Sequence, residues 1–290
     1  MLLPSFAYER PETVAEAVDL LGAAPNARVL AGGQTLLNAL KLRVVHPDVL
    51  VDVSRLEELR AIEEREDGWL HVGAAVTYDE FWSSPVVGRH QPVAAAMASR
   101  IVDRQVRARG TIGGNVCLAD PTSNFPPLVV AAGARLVVRG REGTRAVEAE
   151  EFFVAPYMTA VAEGELLEAV LLPPLGDGRR MGYESLQVGT DSWALARACA
   201  VVALDGGVIA DARVALGCGA VPVRQPAMER ALIGQRPTPE AIADAARLAG
   251  EAFDPPGDAH ASSAYRLRMA RVMARRAVRA ATRDPEPPDA

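Results

Sequence analysis

A chain of 290 residues, 49% hydrophobic and 23% charged, has enough material for two or three packed units with sizeable cores. Its formal net charge of −6 lacks the basic field of a nucleic-acid binder, and no apolar run reaches membrane-spanning length. The three cysteines (Cys117, Cys199, Cys218) form no C-x-x-C, and the four histidines (His46, His71, His90, His260) are scattered, so neither a zinc site nor an iron–sulfur ligand set is suggested. The thiols read as small buried side chains. The N-terminus, "MLLPSFAYERPETVAEAV", lacks the basic region and long apolar stretch of a signal peptide, which makes the expected location cytoplasmic.

Along the chain, Thr13 and Glu16 fit a capping box, and Val14, Ala17, Val18 and Leu21 mark one face of a helix ended by Gly22. "RVLAGG" predicts a strand entering a glycine turn, "TLLNALKLR" a helix, and "DVLVDVS" a second buried strand. "GWLHVGAAV" predicts a strand, "YDEFW" the start of a helix, and "VAAAMASRIV" a further helix. "FPPLVVAAG" reads as a helix with prolines in its first turn; "ARLVVRG" and "GELLEAVLLP" read as strands. A boundary is expected at "PPLGDGRR". Beyond it, "MGYESLQV", "WALARACAVVAL" and "GVIADARVALG" predict strands, with Asp205-Gly206-Gly207 as a hairpin turn. Helices are expected from near Gln225, Pro239 and Ser262, giving an α+β layer. "RDPEPPDA" has the composition of a disordered tail.

Two loops stand out. "AGGQT" (Ala31 to Thr35) and "TIGGN" (Thr111 to Asn115) each set a glycine pair beside a threonine and an amide. Adjacent glycines can turn successive N–H groups inward as an anion-binding nest, with no Cβ to block close approach. One such loop alone reads best as a tight turn. Two with matching chemistry point to a ligand and would suit the two phosphates of a dinucleotide, although spacing does not name it. No G-x-G-x-x-G follows a strand; Gly217-Cys218-Gly219 runs on to a proline, which a turn explains better. P-loop and nucleophile-elbow motifs are missing too. A cofactor that carries the chemistry would remove the need for a catalytic grouping.

"AGGQTLLNALKLR" together with "VRARGTIGGNVCLADPTSNFPPLVVAAGA" resembles the FAD-binding medium subunit of the molybdenum hydroxylases, the xanthine dehydrogenase and carbon monoxide dehydrogenase family. The likeness continues in "LVDVSRLEEL", "EFFVAPYMTAVAEGELLEAVLLP" and "RVALGCGAVPVRQPAMERALIGQ", and covers nearly the whole chain. The resemblance implies an α+β protein. A two-part FAD domain of the vanillyl-alcohol oxidase (PCMH) type would span residues 1–174, with parts of about 1–55 and 56–174. A C-terminal domain of the CO dehydrogenase flavoprotein type would follow over 178–283, then a tail over 284–290. FAD would lie between the first two parts. It would be held by Leu30, Ala31, Gly32, Gly33, Gln34, Thr35 and Leu36, by Ile101, by Thr111, Ile112, Gly113, Gly114 and Asn115, by Ser123 and Asn124, and by Leu166 and Leu167. No catalytic residue or metal ligand is implied on this chain. Partner subunits would carry two [2Fe–2S] clusters and the molybdopterin cofactor, in a dimer of heterotrimers, and electrons would pass from the clusters through FAD to an external acceptor.

The chain departs from the family pattern at Asn124, often Asp; at Ser185, where a lysine that can contact the flavin end often stands; and at Ala108, often Asn. The flavin potential and the acceptor therefore do not carry over. A stand-alone flavin oxidoreductase of the same fold, and a scaffold that has lost FAD, remain as alternatives. The arginines of "YRLRMARVMARRAVRAATR" suit either a docking face for an acidic partner or a solvated helix face, with Leu267, Ala270, Ala274 and Ala277 as its packing side. Trp193 and Tyr183 read best as core residues on strands, and Glu163 and Glu165 as turn residues without chemistry.

Overall fold

A computed structural model describes residues 3–101, 103–176, 178–189 and 192–283; the expected tail, 284–290, lies outside the described residues. The chain splits into two compact units, Met1–Phe125 with Gly133–Pro174, and Pro126–Ala132 with Leu175–Ala290.

The first unit opens with β1 (Ala7–Glu9), α1 (Val14–Ala23), β2 (Ala27–Leu30), α2 (Leu36–Lys41) and β3 (Val49–Asp52). The strands form a parallel sheet in the order β1-β3-β2. Helix α1 starts where the Thr13 hydroxyl accepts the Glu16 N–H at 3.1 Å; the Glu16 carboxylate reaches back to the Glu12 N–H rather than to that of Thr13. Its predicted apolar stripe is buried against Val51, Val53, Leu56, Leu59 and Leu166. The sequence pattern gave no sign of β1, whose three residues are all exposed.

The chain continues through β4 (Ile62–Glu64), β5 (Leu70–Gly73), α3 (Tyr78–Ser83), α4 (Pro85–His90), α5 (Pro92–Ser99), α6 (Arg104–Arg107), α7 (Ile112–Leu118) and α8 (Phe125–Ala132). Then come β6 (Arg135–Gly140), β7 (Gly143–Glu148), α9 (Ala149–Phe152), β8 (Phe153–Ala155), β9 (Met158–Thr159) and β10 (Leu166–Leu172). A five-stranded sheet runs β4-β5-β10-β6-β7, with β10 central and almost wholly buried, as its apolar sequence, interrupted only at half-buried Glu168, requires. The β10–β6 register slips between Leu167 and Ala169, and the Glu168 carbonyl there accepts the Ala74 N–H at 2.9 Å. Glu165, read as a turn residue, pairs with Arg145 at 2.7 Å.

The second unit is an antiparallel sheet of β11 (Arg179–Gln187), β12 (Ala194–Asp205), β13 (Val208–Gly217) and β14 (Val223–Arg224), followed by α10 (Pro226–Leu232), α11 (Pro239–Arg247) and α12 (Ser263–Thr282). Gly206 and Gly207, at φ +56° and +78°, make the predicted β12–β13 hairpin turn. Ala196, Ala198, Ala200 and Val202 share a core with Ala270, Met273, Ala274 and Ala277 of α12. By strand alternation Arg213 points to the opposite face, where its guanidinium donates to the Val130 and Ala131 carbonyls. The segment Pro126–Ala132 thus packs with the second unit, although it lies deep inside the first in sequence.

Several single-residue readings change. Trp193, expected in the core, is 71% exposed, because β12 begins one residue later and leaves it in the preceding loop. Tyr183 is on a strand as expected; the residue is half-buried, and burial of its hydroxyl pushes the pKa well up. Cys199 and Cys218 are buried thiols, and burial pushes half-buried Cys117 up to about 12. On α12 the arginines divide. Arg268, Arg271, Arg275, Arg276, Arg279 and Arg283 are exposed, whereas Arg266 is buried, paired with Asp258 at 2.5 Å and donating to the Leu195 carbonyl. No described helix is long and apolar enough to cross a membrane.

Glu229 ties the second unit together. It is 4% exposed, accepts the Val214 N–H at 2.8 Å and pairs with Arg224 at 2.5 Å. Replacing Glu229 with Ala strands the Val214 donor and is expected to cost about 1–3 kcal/mol, read as a lower urea midpoint at unchanged slope. Arg247→Ala removes an exposed pair with Asp244 and is expected to change stability by less than about 1 kcal/mol.

Candidate functional site

The two glycine-pair segments, nearly eighty residues apart in sequence, are brought together where the first packs on Arg109–Gly110, directly ahead of the second. A Cβ on Gly32 would overlap the Arg109 carbonyl oxygen and lie 2.9 Å from the Gly110 Cα. The missing side chain at Gly32 is therefore required by backbone-to-backbone packing between the loops, not only by room for a ligand. Gly33 sits at φ +71°, the left-handed region that glycine enters without the usual steric cost. It turns the chain from β2 into α2. Leu30 ends β2 opposite Asp52, Leu36 opens α2, and both are half-buried, as are Ala31 and Gln34; Thr35 is exposed.

The helix that this turn feeds has an uncapped start. Thr35 makes no side-chain capping bond to α2. By contrast α1, α3, α4, α6, α7, α11 and α12 are all capped by a Ser, Thr or Asp side chain. Among the described residues no protein acceptor takes the N–H of Gly32, Gly33, Gln34 or Thr35. Gln34 instead donates from its own amide to the Gly32 carbonyl at 3.3 Å. A run of half-exposed donors at a helix start favours an anion.

The second segment behaves differently, and here the expected nest is not formed. Gly113 and Gly114 lie in the first turn of α7, and neither has a positive φ. Their donors are spent inside the protein. The Ile112 N–H goes to the Val76 carbonyl and that of Gly113 to the Ala74 carbonyl, both at 2.9 Å. The Gly114 N–H goes to the Thr111 hydroxyl, also at 2.9 Å. A threonine cap followed by packing against the chain after β5 makes a helix of these residues where glycine content alone suggests a turn. Gly113 is buried against Ala74; Gly114 is exposed, and a Cβ there would meet only the Thr111 hydroxyl, at 2.8 Å.

Asn115 spends both ends of its amide on the protein, its Nδ2 donating to the Tyr78 hydroxyl at 2.9 Å and its Oδ1 accepting the Phe125 N–H at 3.3 Å. Tyr78 stacks on Phe125 with centroids 5.9 Å apart, and Phe81 meets Phe125 edge-on at 5.6 Å. Burial pushes the Tyr78 pKa up to about 12, partly offset by the Asn115 bond, so the phenol is neutral at ordinary pH. Ser123 is buried and its N–H goes to the Asp120 carbonyl, while Asn124 is half-buried directly before α8. Ile101 and Ile112 are core residues, Leu167 is buried on β10, and Leu166 packs into the α1 core. The structure thus joins Gly32 to Gly110 beside Thr111, and Asn115 to the start of α8. No motif marks Tyr78, Gly110 or Ala74 as part of this arrangement. The one local signal near them is Thr77-Tyr-Asp-Glu80, a capping box that the structure makes in full and that marks where Tyr78 enters its helix.

Gly32→Ala is expected to force the loops apart and destabilise the cofactor-free chain by about 1–3 kcal/mol, the usual cost of overpacking. Thermal unfolding of that chain checks this. Unchanged melting would mean that the space serves only a ligand.

Residues 4–175 match the family described as the FAD binding domain in molybdopterin dehydrogenase, and residues 182–281 match the CO dehydrogenase flavoprotein C-terminal domain. The carbon monoxide dehydrogenase medium chain of Hydrogenophaga pseudoflava is 36% identical over 283 residues, covering 97% of this chain and 98% of that one. The glyceraldehyde dehydrogenase medium chain of Sulfolobus acidocaldarius is 34% identical, covering 96% and 98%. Among solved structures, carbon monoxide dehydrogenase from Hydrogenophaga pseudoflava superposes with a TM-score of 0.93 at 38% identity, covering 97% of this chain and 98% of that one. Quinoline 2-oxidoreductase from Pseudomonas putida 86 superposes at 0.92 with 31% identity, covering 97% and 98%. With both domain models matched in order over nearly its whole length, the chain belongs to the FAD-binding medium subunits of the molybdenum hydroxylases, a family of oxidoreductases.

Proposed function

We propose that this chain is the electron-transfer subunit of a molybdenum hydroxylase complex. It takes electrons from [2Fe–2S] clusters on a small partner subunit and passes them through FAD to an external acceptor, while a large molybdopterin subunit oxidises the substrate. The supporting observation is the open run of N–H groups from Gly32 to Thr35, inside a domain matched to an FAD-binding family. The residues present fit the group: a pyrophosphate can take those donors without a lysine, and the half-buried Leu30 and Leu36 flank them with apolar surface. The Ser123–Asn124 turn completes the set of residues that would hold it, with Ala31, Gln34 and Thr35, while the start of α7, whose N–H groups at Ile112, Gly113 and Gly114 are taken by the protein, supports the cradle. When bound, FAD supplies two-electron storage between one-electron donors and the acceptor. The protein's own part is to bind, orient and exclude. Assembly as a dimer of heterotrimers in the cytoplasm belongs to the same proposal. The medium-chain names of relatives matched along almost their full length support the presence of partner subunits.

The purified chain is expected to show a flavin absorption spectrum and to release FAD rather than FMN, because the loop suits a pyrophosphate. Coexpression with its partner genes is expected to bring molybdenum and iron into the same size-exclusion peak. A colourless chain that takes up no FAD, or a lone chain that turns over a substrate, overturns the proposal. Asn124→Ala is expected to weaken FAD binding about tenfold, the loss of one neutral hydrogen bond, measured by titrating cofactor-free protein.

A further inference from the structure

The family resemblance assigns the amide of Asn115 to the cofactor, yet in the structure both ends of that amide are engaged by the protein. The Phe125 N–H can be accepted only by the amide oxygen, and this fixes the other end, the NH2 group, toward the Tyr78 hydroxyl, which must then act as acceptor. Tyr78 is held in turn from the other side. Its own N–H goes to the Gly110 carbonyl at 2.9 Å, and Thr77 bridges Thr111. Its ring covers Gly110 so closely that a Cβ there would lie 2.7 Å from the ring edge. Gly110 is the residue whose neighbour, Arg109, packs on Gly32. One buried phenol therefore connects three segments: the Gly110–Thr111 entry to α7, the Asn115 side chain, and the first residue of α8 immediately after Asn124.

We propose that Tyr78 is a positioning residue for the FAD cradle. It touches no cofactor itself. Through Gly110 it sets the seat of the Gly32–Thr35 loop, and through Asn115 and Phe125 it sets the direction of the Ser123–Asn124 turn. The inference rests on the FAD reading above. Removing the hydroxyl leaves the ring to stack on Phe125 but takes the acceptor from Asn115 Nδ2. The amide is then released from its single orientation and the Phe125 N–H loses its fixed partner.

The test uses the full chain, stripped of flavin and titrated with FAD by fluorescence, with thermal unfolding recorded for each variant. Tyr78→Phe is expected to weaken FAD affinity about tenfold, the scale of one lost hydrogen bond. Asn115→Leu is expected to lose a similar factor. The double variant is expected to bind no more weakly than the worse single, because both break one chain of contacts. Phe152→Leu, a fully buried change elsewhere in the same unit, is expected to lower the melting temperature without changing FAD affinity. Parental affinity in Tyr78→Phe overturns the inference alone, as do additive losses in the double variant or an equal loss in Phe152→Leu. If Tyr78→Phe does not fold, Asn115→Leu with parental affinity overturns it equally. A parent chain that binds no FAD overturns the cofactor reading and this inference with it.

Discussion

The contact on which the rest of the candidate site depends is the approach of two backbones, at Gly32 on one side and Arg109–Gly110 on the other. No side chain larger than hydrogen fits at Gly32. A parallel three-stranded sheet delivers the first loop, and the turn between α6 and α7 delivers the second. The contact therefore joins the two parts of the first unit at the point where a cofactor is expected. Because it is backbone on backbone, it fixes the distance between the loops more tightly than flexible side chains would.

From that contact the two loops divide their tasks. The first leaves its donors open: Gly33 bends the chain in the left-handed region, Thr35 leaves α2 uncapped, and four consecutive N–H groups have no protein acceptor among the described residues. The second spends its donors on Val76, Ala74 and Thr111 and serves as a support. Two motifs that look equivalent in sequence thus play unequal parts. The difference arises because a helix start can be satisfied by neighbouring carbonyls or left open, according to what packs beside it. In a flavoprotein whose chemistry belongs to the cofactor, such placement is the main contribution a chain can make.

Much of the architecture was legible in the sequence because the signals were local. The α1 stripe, the largely apolar run of β10, the Asp205-Gly-Gly hairpin and the alanine face of α12 each follow from periodicity or turn chemistry, and each is found in its place. The shortest strands, β1, β4, β8, β9 and β14, escaped because two or three residues carry no period, and pairing with a neighbour alone makes them strands. Trp193 misled because its bulk favours the interior, whereas its position one residue ahead of β12 puts it in a loop.

The sequence by itself determined the family, the order of the two folds and the presence of two glycine pairs, since these depend on residue types at fixed spacings. The tertiary structure alone decided what each glycine is for. Gly32 answers to Arg109, Gly113 to Ala74, and Asn115 to Tyr78 and Phe125. Apart from Phe125, ten residues on from Asn115, these partners lie more than thirty residues from the residue they constrain. The packing of Pro126–Ala132 with the second unit is of the same kind, since it depends on Arg213 reaching two helix carbonyls more than eighty residues back along the chain. Spacing along the chain encodes helices, strands and turns, but which donors remain open for a ligand is settled only when distant segments have filled the others.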